Sequence, residues 1–127
     1  MTTIDRSNYL KGLLILAKQD NKLVDSERNF IRTIAKDLGF SKDFYEETLR
    51  NLMANKYLKN DAFKFSSVEV AESFIKDGLK LALSDNTLAG NELSWLKQMA
   101  QTNSIADEKF EEFIKELDSQ SKITPQD

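Results

Sequence analysis

The fold of this chain is decided by residues 9–52, YLKGLLILAKQDNKLVDSERNFIRTIAKDLGFSKDFYEETLRNL. The same pattern returns 65 residues later in residues 74–117, FIKDGLKLALSDNTLAGNELSWLKQMAQTNSIADEKFEEFIKEL. The two stretches align without a gap, about a dozen of the 44 aligned positions are identical, and most of the apolar positions match. A repeat of this kind indicates two units that each need the other to bury an apolar face. We therefore predict two pseudo-symmetric three-helix repeats that form one bundle-like core.

Apolar residues recur within each unit at the three- and four-residue spacing of a helix, as in Phe30, Ile31, Ile34, Ala35 and Leu38. The pattern predicts an all-α fold of six to seven helices, the main ones at about 3–19, 25–38, 42–54, 67–83, 91–102 and 107–118. Only one proline and four glycines interrupt the chain, which argues against a fold of many strands and turns. We expect left-handed C-caps at Gly39 and, after the fifth helix, at Asn103.

The length of 127 residues is that of one domain. We place this domain at residues 1–118, with repeat one at about 9–52, a connector at 55–66 and repeat two at about 74–117. The connector has room for a short helical turn. Its Phe63 and Phe65 are expected to anchor it to the core while its lysines face water, rather than to bind nucleic acid. Residues 119–127 are polar and contain the proline, so we expect a flexible tail.

The composition excludes several kinds of chemistry. The chain has no cysteine and no histidine, which rules out thiol nucleophiles, disulfides, Cys/His zinc sites and Ser-His-Asp triads. A net charge of −3 gives no global attraction to nucleic acid or anionic lipid. The longest apolar run, residues 13–17, is far shorter than the roughly 20 residues that span a bilayer. With no targeting segment visible, we expect a cytoplasmic protein with no direct membrane insertion.

The motif most suggestive of a functional site is D-N-x-L-x-x-x-E, which occurs at residues 20–27 and again at 85–92. Its spacing matches the second half of an EF-hand loop, where a carboxylate precedes a turn residue and a glutamate closes the site. The candidate metal ligands are Asp20, Glu27, Asp85 and Glu92. The first half of such a loop has no counterpart here, so a weak Ca²⁺ or Mg²⁺ site completed by water is the most that the motif indicates.

The same residues have two other interpretations, which the sequence leaves open. An aspartate that starts a tight turn can accept hydrogen bonds from backbone N–H groups, and a glutamate in the first turn of a helix can cap it and offset its dipole. This structural role is the leading interpretation. Catalysis by paired carboxylates is the remaining one. The acidic clusters Asp43, Glu46, Glu47 and Glu108, Glu111, Glu112 are interpreted as a solvated helix face, with docking of a basic partner as the alternative.

The chain resembles the tellurite-resistance TerB-like family at residues 16–27, 34–40 and 81–92. The helical hairpins of that family carry an acidic Asp-Gly-x-apolar-x-x-x-Glu motif, and an amphipathic helix that ends in Leu-Gly follows it. The resemblance covers about residues 8–117. It implies an all-helical protein of two related halves. It also implies cation sites at Asp20, Glu27, Asp85 and Glu92.

The resemblance implies a small, non-catalytic, cytoplasmic bacterial protein linked to stress or tellurite resistance. Related domains also occur as modules in larger proteins, including a membrane-tethered DnaJ-like co-chaperone. We therefore expect an interaction or adaptor module for an unidentified protein partner, with no cofactor assigned. The alternative is a divalent-cation sensor or buffer that uses both acidic half-loops.

Overall fold

A computed structural model describes residues 1–18, 25–54, 61–82 and 90–122. Six helices lie in these ranges: α1 (Thr3–Lys18), α2 (Asp25–Asp37), α3 (Lys42–Ala54), α4 (Val68–Ala82), α5 (Gly90–Thr102) and α6 (Asp107–Lys122). The same ranges contain no β-strand, which confirms the predicted all-α class. None of the helices described is long and apolar enough to cross a membrane.

The helix boundaries follow the sequence repeat. Helices α4, α5 and α6 begin 65 residues after α1, α2 and α3, respectively. The first five helices begin and end within one residue of their predicted bounds. The sixth continues to Lys122 instead of ending at 118, because no helix-breaking residue occurs before Pro125. The remaining tail, 123–127, and residues 55–60 of the connector lie outside the described residues.

Helices α1 and α4 form the centre of the fold. Helix α1 packs against α2, α3, α4 and α5, while α4 packs against α1, α5 and α6. Their buried side chains form one continuous cluster with those of the surrounding helices, including Leu13, Leu14, Leu16, Ile31, Phe74, Ile75, Leu79, Leu96, Met99 and Phe110. The outer helices therefore lie where they can carry surface sites, and α1 and α4 set their positions.

The two central helices approach closely because glycine occupies the contact. A Cβ added at Gly12 would lie 2.6 Å from Cζ of Phe74 and 3.2 Å from Cζ of Phe63. Beside this contact the rings of Tyr9 and Phe74 meet edge to face at 5.4 Å between centroids. The Tyr9 hydroxyl donates to the Asp77 carboxylate and shares a hydrogen bond of 2.9 Å with Ser73 Oγ, so α1 and α4 are also joined by polar contacts.

One predicted C-cap is confirmed and the other is wrong. Gly39 has a φ of +94°, and Phe40 N–H donates to the Ala35 carbonyl at 3.1 Å, as in a Schellman motif. After α5 the left-handed residue is Ser104, with a φ of +64°, rather than Asn103. Ser104 is the residue that aligns with Gly39 in the repeat, so the register of the cap is the same in both units.

The Asn103 side chain is instead used to hold the connector. Its Oδ1 accepts from Phe65 N–H at 2.8 Å, and its Nδ2 donates to the Phe63 carbonyl at 2.9 Å. Phe65 is buried, Phe63 is partly buried and Lys64 is exposed, which confirms the predicted anchoring for this part of the connector. The connector is thus fixed to the end of α5.

Candidate functional site

The two glutamates of the repeated acidic motif occupy equivalent and buried places. Glu27 is the third residue of α2 and Glu92 is the third residue of α5, and their side chains are only 1% and 2% exposed. Asp20 and Asp85, the other two candidate ligands, lie outside the described residues. Within the part of the chain that is described, no group of three or more acidic side chains is placed to hold a metal ion. The metal site stays a prediction.

The position of the two glutamates suits a capping role. The first turn of a helix leaves backbone N–H groups without helical partners and carries a partial positive charge, both of which favour a carboxylate. A buried carboxylate is stable only with such partners, and both Glu27 and Glu92 engage in hydrogen-bonding or electrostatic contacts. Their burial also means that these two side chains are not part of the outer surface.

The acidic side chains of α3 and α6 lie on solvated faces, as predicted. Asp43, Glu47, Glu111 and Glu112 are exposed. Glu46 differs, because its Oε2 accepts from Nη2 of Arg32 at 3.0 Å and its Oε1 accepts from Nε of the same guanidinium. The hydrogen bonds from Arg32 lower the pKa of Glu46 below its ordinary value. This pair ties α2 to α3.

A buried carboxylate that the sequence did not reveal lies at the start of α1. Asp5 accepts from the backbone N–H of Thr2 at 3.1 Å, from Ser66 N–H at 2.9 Å and from the Ser66 hydroxyl. Burial by itself raises the pKa of Asp5, but the hydrogen bonds from Ser66 and Thr2 outweigh it and bring the pKa from 3.8 to about 2. Asp5 thus holds the connector against α1 and has a structural role.

A concave feature among the described residues is a groove between α1 and α3, which we call the α1–α3 groove. Its volume is about 290 Å³, and it is lined by Ser7, Leu10, Lys11, Phe44, Thr48 and Asn51. The lining surface is mostly apolar. Leu10 is buried, whereas Phe44 is 47% exposed and stacks on Phe40 at 5.0 Å between ring centroids. An apolar groove with a half-exposed aromatic ring is a surface on which another molecule can bind.

An exposed isoleucine extends this apolar surface along α1. Ile4 is 73% exposed and precedes Ser7 by three residues, so both lie on the same helix face. A second, smaller and more polar cavity of about 150 Å³ lies where the connector meets the end of α5, lined by Lys64, Phe65, Ser66, Ser67, Val68, Thr102, Asn103 and Ser104. The α1–α3 groove is the larger and more apolar of the two.

The α1–α3 groove is not evident from the helical periodicity of the sequence, although one signal for it is present. In the gapless alignment Thr48 pairs with Phe113 and Phe44 pairs with Lys109, so apolar and polar residues exchange places between the two units. Such an exchange marks a position where one helix face differs from its counterpart. Periodicity alone does not show it, since each helix keeps its own apolar stripe.

Comparison of the chain with protein-family models, curated proteins and solved structures found no match. Membership of the TerB-like family therefore stays a prediction from the motif residues at 16–27, 34–40 and 81–92.

Proposed function

We propose that this chain is a non-catalytic interaction or adaptor module of the TerB-like type, and that it binds a partner protein at the α1–α3 groove. The observation that carries the proposal is the half-exposed Phe44 beside an open, largely apolar groove. Apolar grooves with aromatic residues and a polar rim are typical of protein contact sites. Ser7, Lys11 and Asn51 supply such a rim.

We further propose that the two halves are related by a pseudo-twofold axis between α1 and α4. Three observations support this arrangement. Helices α4–α6 begin at the 65-residue offset from α1–α3, the equivalent helices α1 and α4 pack on each other, and the equivalent rings of Tyr9 and Phe74 are in contact. In this arrangement the contact between α1 and α3 in the first half corresponds to the contact between α4 and α6 in the second.

The interaction proposal is tested by site-specific photocrosslinking in cells that produce the protein. Phe44 is replaced by a photoreactive benzoylphenylalanine, and Lys109, its counterpart on α6, is replaced in a matched control chain. We expect one discrete protein adduct from position 44 and none from position 109. Equal labelling at both positions, or no adduct at position 44, contradicts binding at the α1–α3 groove.

A divalent-cation sensor or buffer is the second candidate, because the same residue of both repeats, Glu27 and Glu92, is buried at the same place in its helix. The recurrence favours one shared role for the two acidic half-loops. In this candidate Asp20 with Glu27, and Asp85 with Glu92, hold Ca²⁺ or Mg²⁺ together with water.

A cation titration separates this candidate from a capping role. Protein stripped with EDTA is titrated with Ca²⁺ and then Mg²⁺ while two-dimensional amide NMR spectra are recorded. Cation binding gives saturable shifts within 20–27 and 85–92 below about 1 mM, within the range of weak calcium modules. Glu27→Gln and Glu92→Gln should abolish them, whereas the exposed pair Glu47→Gln and Glu112→Gln should not. No saturable shift at several times that concentration rejects the candidate.

A further inference from the structure

The second half of the chain shows what fits a groove of this kind. By the 65-residue offset, the counterparts of Leu10, Lys11 and Thr48 are Ile75, Lys76 and Phe113. Helix α6 packs on α4 as α3 packs on α1. Phe113 is 3% exposed, and Nζ of Lys76 lies 4.9 Å from the centre of its ring. In the second half, therefore, a phenylalanine ring is buried beneath a lysine.

Lys11 takes the same position in the first half, but none of the described residues places a ring beneath it. Thr48 replaces the phenylalanine, and this position lines the α1–α3 groove of about 290 Å³. Lys11, the counterpart of Lys76, stands at the groove and is exposed. Lys109 and Glu72 form an ion pair of 3.5 Å in the second half, and Phe44 and Ser7 take their places in the first half. Among the described residues, the first half therefore has an open groove with an apolar wall where the second half has its own aromatic ring.

From this difference we infer that the α1–α3 groove is a slot for a phenylalanine side chain presented by a partner protein, with Lys11 over the face of the bound ring. The inference deepens the proposed function and rests on it. An aromatic ring suits the site because it buries a large apolar area and its face attracts a cation. Leu10 and Phe44 supply the apolar wall, and Ser7, Thr48 and Asn51 supply polar groups at the edges. One aromatic anchor in a pocket is the usual centre of a protein interface.

The probe for the slot is N-acetyl-phenylalaninamide, with N-acetyl-leucinamide as the matched non-aromatic control. Each is titrated into the ¹⁵N-labelled full chain, and amide shifts are followed at residues 7, 10, 11, 44, 48 and 51. We expect saturable shifts with the phenylalanine compound, in the millimolar range of a single side chain, and clearly weaker shifts with the leucine compound. Lys11→Met should weaken binding about two- to fivefold by removing the cation from the ring face.

Two variants block the slot by different routes. Thr48→Phe copies Phe113 and fills the space from α3, while the isosteric Thr48→Val leaves the space open. Ser7→Trp covers the groove from an exposed position of α1, so it serves if the first variant fails to fold. Both Thr48→Phe and Ser7→Trp should abolish the shifts, and Thr48→Val should retain them.

Several results would overturn the inference. They are the absence of saturable shifts, equal binding of the leucine compound, and binding that survives both blocking variants.

Shifts at the same residues that depend on protein concentration without probe, and that disappear in Phe44→Lys, would show a second copy of the chain as the occupant instead. If the adduct at position 44 forms but N-acetyl-phenylalaninamide does not compete with it, the aromatic slot is wrong while the interaction module stands. If the probe binds but no adduct forms, the partner-binding role is wrong.

Discussion

Gly12→Ala tests whether the contact between α1 and α4 is as tight as the structure shows. The new methyl carbon would lie 2.6 Å and 2.7 Å from two carbons of the Phe74 ring, well inside van der Waals contact. That ring is fully buried and packs against the rings of Tyr9, Phe65 and Trp95 at centroid distances of 5.4, 5.3 and 6.1 Å, so a shift of Phe74 would disturb these contacts. Overpacking of this kind costs about 3 kcal/mol at the upper end of its range. The better helix propensity of alanine offsets about 1 kcal/mol of this cost. We therefore expect a net loss of about 2 kcal/mol in the free energy of unfolding.

Urea unfolding followed by circular dichroism measures this loss as a lower midpoint at an unchanged slope. Gly78→Ala is the matched control, because its new methyl would lie 2.7 Å from Cδ2 of Leu96, the end of a flexible side chain that can turn away. We expect a smaller loss for that variant. Phe74→Leu should recover part of the loss in the Gly12→Ala background and not in the Gly78→Ala background. A Gly12→Ala protein as stable as the wild type would contradict a close contact between Gly12 and the Phe74 ring.

Three further outcomes follow from single contacts. Ser104→Gly should raise the free energy of unfolding by about 0.5–1 kcal/mol, because glycine adopts the φ of +64° without strain, and urea unfolding measures the gain. Asn103→Ala should lower it by about 2–3 kcal/mol, because the buried Phe65 N–H and its neighbours lose their partner, and amide hydrogen exchange at Phe65 should become faster. Asp5→Asn should destabilise the protein at pH 7 by weakening the hydrogen bonds from Ser66. Since the folded pKa of Asp5, about 2, lies below its ordinary 3.8, this contribution is full above 3.8 and is lost as the pH falls through 2. Urea midpoints of wild type and variant should therefore converge toward pH 2, and a difference that stays constant would contradict this account.

The helices could be predicted from the sequence because their buried faces repeat with helical spacing. Gly39 could also be predicted, since glycine after the last apolar residue of a helix favours a left-handed cap. Ser104 could not, because asparagine is the better left-handed residue of the pair Asn103 and Ser104. The choice is made by a tertiary contact, the hydrogen bonds between Asn103 and the connector, which local sequence does not encode.

The candidate site was less predictable for a similar reason. The acidic motif is visible as a pattern, but a pattern does not say whether Glu27 points to solvent or into the fold, and in the structure it is buried. The α1–α3 groove depends on the small side chain of Thr48, where the second unit has Phe113, as much as on the other residues that line it. The open space of the groove can be recognised only when the packing of α3 against α1 is known.

The buried ring of Phe113 has a consequence for stoichiometry. A protein built from a duplicated unit is expected to offer two equivalent sites and so to bridge two partner molecules or gain avidity from a divalent one. In the second half, the equivalent position is already occupied by Phe113 beneath Lys76. We therefore do not expect the α4–α6 side to bind the ring of another molecule. On the proposed function, the chain is thus expected to be monovalent and to form one-to-one complexes.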